Sequence, residues 1–258
     1  MSFIEAILPF VNKIPPFPAV LQKILTLVED PNSSAQDVVE VIQYDQAITA
    51  NVLMVCNSAY FNLRRPVSSI RDALVKIGFN RLIEITLTRG SAYIFCQPCQ
   101  GYDLDEGELW RHSVACALLS QLLSRDVMRE KSPAQFTGAL LHDIGKVILS
   151  RFVKDHFNEI KFLVDEKNLS FSDAEKEVLG IDHAELGGRI SERWKFPAGI
   201  VAGIRHHHHP FFLPEHRDLV SLIHLCDLVA SRTGFGGGGG ALSSPDCGEI
   251  MIQYGLSE

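Results

Sequence analysis

A chain of 258 residues with 24 Lys and Arg against 31 Asp and Glu has a formal net charge of −7, which argues against a broad nucleic-acid surface because phosphate backbones call for a basic stripe. Hydrophobic residues make up 46% of it, ordinary for a globular protein, and no apolar run approaches the length that spans a bilayer. The opening MSFIEAILPFVNKIPPFP has neither a basic n-region nor a small-residue cleavage site, so it does not read as a signal peptide and the cytoplasm is the expected compartment. Cys56, Cys116 and Cys226 sit in apolar helical stretches and read as free buried thiols, with no disulfide framework. Cys96 and Cys99 form a single C-x-x-C, without the second pair or βαβ context that points to metal or redox work.

Helical periodicity runs through nearly every segment and no alternating strand emerges, so the expected fold is all-α, a two-lobed helical bundle. Pro15-Pro16-Phe17-Pro18 ends a first helix, and another runs from about Pro18 to Glu29 before the turn Asp30-Pro31-Asn32-Ser33. Ser34 with Asp37 resembles a capping box for a helix to Tyr44. A helix over Gln46 to Asn57 follows, then one over Ile70 to Ile77 opened by Ser69 and ended by Gly78. Residues 79 to 97 form a longer helix, and Gln97 to Gly101 is the candidate boundary between an N-terminal lobe, 1–97, and a second lobe, 98–258.

The second lobe opens with a capping-box shape at Asp105 to Glu108 and a helix to about Arg125. Ser132-Pro133 starts a helix that carries His142 and Asp143. Asp182 with Glu185 caps the next helix, which Trp194 to Pro197 closes, and a short helix from Pro197 ends at Pro210. Asp218 to Arg232 is nearly all apolar except for Asp227. The Gly-rich stretch 234–240 reads as a flexible loop or linker ahead of a C-terminal tail.

Five features fall in segments that otherwise read as packed helix: His112, the pair His142-Asp143, His183, a doublet within His206 to His209, and Asp227. Buried ionisable groups are expensive unless paired or bound to metal. Coordination by imidazole and carboxylate is the simplest shared reason for all of them. His112 shares a stripe with Leu109, Cys116 and Leu119; alone, it would pass for a satisfied core histidine. In the histidine run, i, i+4 spacing from Ile200 and Ile204 turns His207 and His208 inward and leaves His206 and His209 at the surface. Gly138 and Gly145 flank His142-Asp143 and permit another backbone to come close. Lys146, at i+3 from Asp143, is either an ordinary helical ion pair or a lysine that positions a substrate phosphate. Glu108, one turn before His112, is either a further ligand or the N3 residue of the capping box.

With these residues assembled, the second lobe resembles the HD superfamily of metal-dependent phosphohydrolases, whose defining pair is His142-Asp143 in LLHDIGK. The wider set, with His183 and His207-His208, is similar to the HD-GYP branch, which binds two or three metals. That resemblance implies Glu108, His112, His142, Asp143, His183, His207, His208 and Asp227 as ligands, with Lys146 near the scissile phosphate. In the first lobe IPPFPAVLQKIL, VIQYDQAITANVLMVCNSAYF and SSIRDALVKIG resemble the HDOD family, the HD-related output domain of bacterial signalling proteins. Together they cover one HDOD domain over about 10–232. Many HDOD proteins have lost the metal ligands, whereas this sequence keeps candidates for all of them. After the histidine doublet, however, it runs His209-Pro210-Phe211-Phe212-Leu213-Pro214 instead of an acidic residue and Gly-Tyr-Pro, which speaks against cyclic dinucleotide hydrolysis.

Two functional readings follow. In one, the chain is a signal-transduction module holding a di- or trinuclear centre of divalent transition metal (iron, manganese, nickel or zinc), with signalling proteins as partners. In the other it is a metal-dependent phosphohydrolase acting on a nucleotide or other phosphoester, with Asp143 bridging the metals and Lys146 offsetting charge on the phosphoryl group.

Overall fold

The computed structural model describes residues 17–125, 133–211, 215–238 and 250–252. The helix expected before Pro15 and the N-cap expected at Ser132 lie outside these residues. Among them the regular structure is helical, with one isolated bridge pair between Cys99 and Leu104, so the fold is all-α as expected. No described helix is long and apolar enough to cross a membrane.

The first unit comprises residues 17–93 with Trp194–Pro197. Its helices are α1 (Ala19–Glu29), α2 (Ala35–Gln43), α3 (Gln46–Cys56), α4 (Ile70–Ile77) and most of α5 (Phe79–Phe95). Local caps fix where these begin and end. Ser34 and Asp37 close a reciprocal capping box on α2, Asp45 caps α3 through the Ile48 N–H at 2.9 Å, and Gly78 ends α4 at φ +81°. α2 packs on α1, α3 and α4, burying Leu21, Ile24, Val38, Ile42 and Val52; each such side chain contributes about 1.5–3 kcal/mol. Trp194–Pro197 belongs here because Phe17 stacks on Trp194 at 5.2 Å and on Phe196 at 4.9 Å.

The second unit runs over residues 94–193 and from 198 onward. It holds α6 (Glu108–Leu123), α7 (Pro133–Leu141), α8 (Ile144–Asp155), α9 (Phe157–Lys167), α10 (Phe171–Leu179), α11 (His183–Arg193), α12 (Ala198–His206) and α13 (Arg217–Arg232). α13 packs against α6, α7 and α12 around Cys116, Ala139, Leu222, Ile223 and Cys226. α11 lies against α8 and α12. The α8–α11 approach depends on Gly145, where a Cβ would stand 1.9 Å from the His183 carbonyl oxygen.

Three local expectations need correction. α6 is preceded by Gly107 at φ +78°, which leaves Asp105 outside the cap, although the Glu108 carboxylate still accepts from the Asp105 N–H at 2.9 Å. His142 and Asp143 do not continue a helix: α7 stops at Leu141 and α8 starts at Ile144, with Asp143 at φ −94°, ψ 13°. That sparsely populated backbone region lets two adjacent side chains aim at one point. α12 ends at His206 rather than Pro210, so His207 and His208 stand in the turn beyond it.

Candidate metal centre

The fold gathers His112, His142, Asp143, His183, His207, His208 and Asp227 from five separate elements of the second unit. Asp143 is the hub. Its Oδ2 lies 3.5 Å from His112 Nε2 and 3.5 Å from His142 Nε2, and its Oδ1 lies 3.5 Å from His183 Nε2 and 3.7 Å from His207 Nε2. Asp227 Oδ1 stands 3.3 Å from His112 Nε2 and 4.0 Å from His142 Nε2. His208 Nε2 faces His183 Nε2 at 2.8 Å. Three overlapping groups of donors result: His112, Cys116, His142 and Asp227; His142, Asp143 and His207; His183, His207 and His208.

Four of the five rings are oriented by their other nitrogen. Nδ1 of His112, His142 and His207 donates to the carbonyls of Phe235, Ala139 and Ile204 at 2.6, 2.8 and 2.7 Å. His183 Nδ1 donates to Glu175 Oε2 at 2.6 Å. With Nδ1 carrying the proton, a neutral ring presents an Nε2 lone pair, and all four lone pairs converge on Asp143. Lone pairs and carboxylate oxygens facing one another in a buried site repel unless a cation stands among them. Two such atoms, Asp143 Oδ1 and His207 Nε2, have no hydrogen-bond partner among the described residues. The donor set therefore fits a divalent metal ion.

The electrostatics divide the rings. Burial opposes a charge on His112 and His183, but Cys116 and Asp227 raise His112 well above its ordinary value and Glu175 raises His183, so a metal ion on either Nε2 would take the place of a proton. Burial alone would raise the Asp143 carboxyl, but the Lys146 ammonium and the imidazoles of His142, His183 and His112 outweigh it and hold it below the usual carboxylate range. Asp227 is likewise held well below its ordinary value: burial opposes its charge, and the contact with His112 prevails. Burial pushes the imidazoles of His207 and His208 well down, which keeps them neutral and ready to ligate.

Lys146 is buried and donates to Asp143 Oδ2 at 2.7 Å and to the Gly237 carbonyl at 3.0 Å. The glycine stretch is thus no free linker where it is described: a Cβ on Gly237 would lie 2.7 Å from His112 Nε2 and 2.9 Å from Asp143 Oδ2. Gly145 meets backbone as expected, whereas Gly138 faces the Ile223 side chain instead, at 2.7 Å.

Glu108 is not brought to the cluster. Its side chain is 38% exposed and pairs with Arg111 at 3.3 Å. His209 is exposed and His206 half-buried, both outside the donor groups. Cys96 and Cys99 are free and stand in none of those groups; burial pushes the Cys99 thiol up to about 11. Sequence reasoning missed Glu175, which is buried and also accepts from the Tyr102 hydroxyl. Leu179, buried one turn further on, was the available signal that Glu175 faces inward. It also missed His224, whose Nδ1 donates to the His207 carbonyl at 2.6 Å.

Comparison with known proteins bears on this arrangement. The HDOD domain family matches residues 14–210. The crystal structure of an HDOD domain protein from Geobacter sulfurreducens superposes with a TM-score of 0.76 at 26% identity, covering 99% of this chain and 91% of that one. A candidate phosphohydrolase from Shewanella amazonensis SB2B superposes at 0.72 with 24% identity, over 97% and 88% of the two chains. A candidate signal transduction protein from Marinobacter aquaeolei VT8 gives 0.75 at 22% identity, over 95% and 54%. The last two are distant enough to speak for the fold alone. A protein of Treponema pallidum (strain Nichols) is 23% identical over 221 residues, 85% of this chain, and the chain spans 42% of that relative's length.

Proposed function

The chain belongs to the HDOD family, and from that premise we propose that it is a bacterial signal-transduction module. Its second unit holds two or three divalent transition metals, and it regulates through contacts with other proteins. His112, His142, Asp143 and Asp227 would hold one ion; His183, His207, His208 and the other Asp143 oxygen would hold a second. Asp143 is suited to bridging because its two oxygens face different sets of imidazoles. Bound there, the ions would supply Lewis acidity toward an anionic ligand.

One observation carries the preference for regulation over turnover. Lys146, the ammonium best placed to meet a phosphate, is held by Asp143 and by the Gly237 carbonyl, and the Gly237 backbone stands directly over His112 and Asp143. Protein contacts are supported by the first unit, where Tyr44, Met54, Tyr60 and Val75 are large apolar side chains left more than half exposed.

Hydrolysis of a phosphoester is the second reading. It is favoured by the position of Lys146 itself, buried beside Asp143 and able to donate to a phosphoryl oxygen if the glycine segment withdrew. Phosphate release from a panel of nucleotides and cyclic dinucleotides separates the two, with the purified chain compared with His142→Ala and Asp143→Ala. The module reading expects no release above that of the variants. Release by the parent chain that both substitutions abolish would establish the hydrolase.

A further inference from the structure

Imidazole and carboxylate do not account for every donor around His112. Cys116 lies one turn further along α6, fully buried, with its Sγ 3.6 Å from His112 Nε2. The donor atoms of His112, Cys116, His142 and Asp227 all lie within 4.8 Å of one another, and all four residues are buried. The thiol has little else to do. Among the described residues its hydrogen bond to backbone is a long contact to the Cys226 carbonyl at 3.7 Å.

The nitrogen and oxygen spacings are close to those of a coordination sphere, while the sulfur, 3.6 Å from His112 Nε2 and 4.0 Å from its Nδ1, lies beside the ring and would turn toward the Nε2 side on ligation. A tetrahedral zinc ion about 2.0–2.1 Å from nitrogen and about 2.3 Å from sulfur sets two imidazole nitrogens about 3.4 Å apart, and nitrogen from sulfur about 3.6 Å. Here His112 Nε2 is 3.3 Å from His142 Nε2, 3.6 Å from Cys116 Sγ and 3.3 Å from Asp227 Oδ1. The edge from His142 Nε2 to Asp227 Oδ1 is wider, at 4.0 Å. The Nδ1 atoms of both histidines are engaged with the carbonyls of Phe235 and Ala139, so both Nε2 atoms point inward.

The geometry assigns Cys116 as a further metal ligand that joins His112, His142 and Asp227 around the ion that Asp143 would bridge, adding a sulfur to their nitrogen and oxygen donors for zinc or another thiophilic divalent ion. This rests on the reading that the second unit binds metal. As the sulfur–metal bond forms, the S–H bond breaks and its proton passes to solvent, so the site takes up one charge fewer than the ion brings. A sulfur donor turns selection toward zinc and cobalt and away from manganese and magnesium. The second donor group, His183, His207 and His208 with Asp143 Oδ1 beside them, offers nitrogen and oxygen but no sulfur. The chain would then hold two chemically different metal positions.

Cobalt(II) added to the chelator-stripped full chain reads sulfur ligation directly, as thiolate-to-cobalt charge-transfer absorption in the near ultraviolet. The expected result is that band in the parent chain and its loss in Cys116→Ser, with the weaker visible cobalt bands retained. Cobalt bound without the band, or a band that Cys116→Ser leaves intact, overturns the assignment while leaving the metal centre standing. No cobalt bound at all overturns the assignment and the metal-binding reading together. Should Cys116→Ser not fold, X-ray absorption of the zinc-loaded parent chain decides: a sulfur scatterer at about 2.3 Å is expected, and a shell of nitrogen and oxygen alone would contradict it.

Discussion

The Glu175 carboxylate accepts twice from His183 through one oxygen, from ring Nδ1 at 2.6 Å and from the backbone N–H at 2.9 Å. Its other oxygen takes the Tyr102 hydroxyl. This fixes both the tautomer and the tilt of His183, so that Nε2 faces His208 and Asp143. A carboxylate behind a ligating imidazole also raises its basicity, and removing such a partner weakens metal binding about 10–100-fold. Glu175→Gln keeps the volume and one acceptor but loses the charge. Titration calorimetry with zinc should show a loss of that size at one class of site; unchanged affinity at every site would remove Glu175 from the account.

Lys146 compensates a buried carboxylate at 2.7 Å. Lys146→Met strips that charge, and leaving one partner of a buried pair alone costs about 3–5 kcal/mol. A bound divalent ion can supply the missing charge. Urea denaturation should therefore show a large destabilisation of the chelated variant and a much smaller one with metal present. Equal losses in both conditions would mean that no cation sits near Asp143.

Gly145 and Gly236 make a matched pair. A Cβ on Gly145 would stand 1.9 Å from the His183 carbonyl oxygen and 2.9 Å from the Gly187 nitrogen, whereas Gly236 has nothing within 4 Å. Backbone cannot yield as a side-chain tip can, so Gly145→Ala should cost more than about 2 kcal/mol and Gly236→Ala within about 0.5 kcal/mol of nothing. Thermal melts of the two variants check this.

His207 gives the chelated chain a defined response to acid. Burial holds its imidazole well below 6.5, the ordinary value. The unfolded chain therefore takes up the proton first, and stability present above that pH is lost as pH falls below it. The stability difference between the parent chain and His207→Gln should shrink on going from pH 7.5 to about pH 5. A difference that grows on acidification would reverse the assigned direction.

Much of this was legible from local signals. Ser34 with Asp37, and Gly78 after Ile77, mark helix ends through groups at most four residues apart, and the structure bears them out. Asp227 stood out because a carboxylate inside LVSLIHLCDLVA has no lysine or arginine within one turn. Glu175 did not, since Asp173, Lys176 and Glu177 crowd the same helix and periodicity alone marks which charge turns inward. The break at His142-Asp143 carries no proline to announce it; tertiary packing of Gly145 on α11 accompanies it. The contact of Gly237 with His112 and Lys146 joins chain segments about 90 and 125 residues apart, which no local pattern encodes. Glu108 shows the converse: resemblance gave it a ligand's role, while its position at the first turn of α6 gives it Asp105 and Arg111 as partners.

Metal content measured by mass spectrometry on protein purified without chelator tests the central claim most directly. The account predicts at least one equivalent of a transition metal per chain, markedly reduced in both His142→Ala and Asp143→Ala while those variants keep their helical circular dichroism. A parent chain that emerges folded and metal-free, and that takes up none of zinc, iron, manganese or nickel when each is supplied, would contradict it.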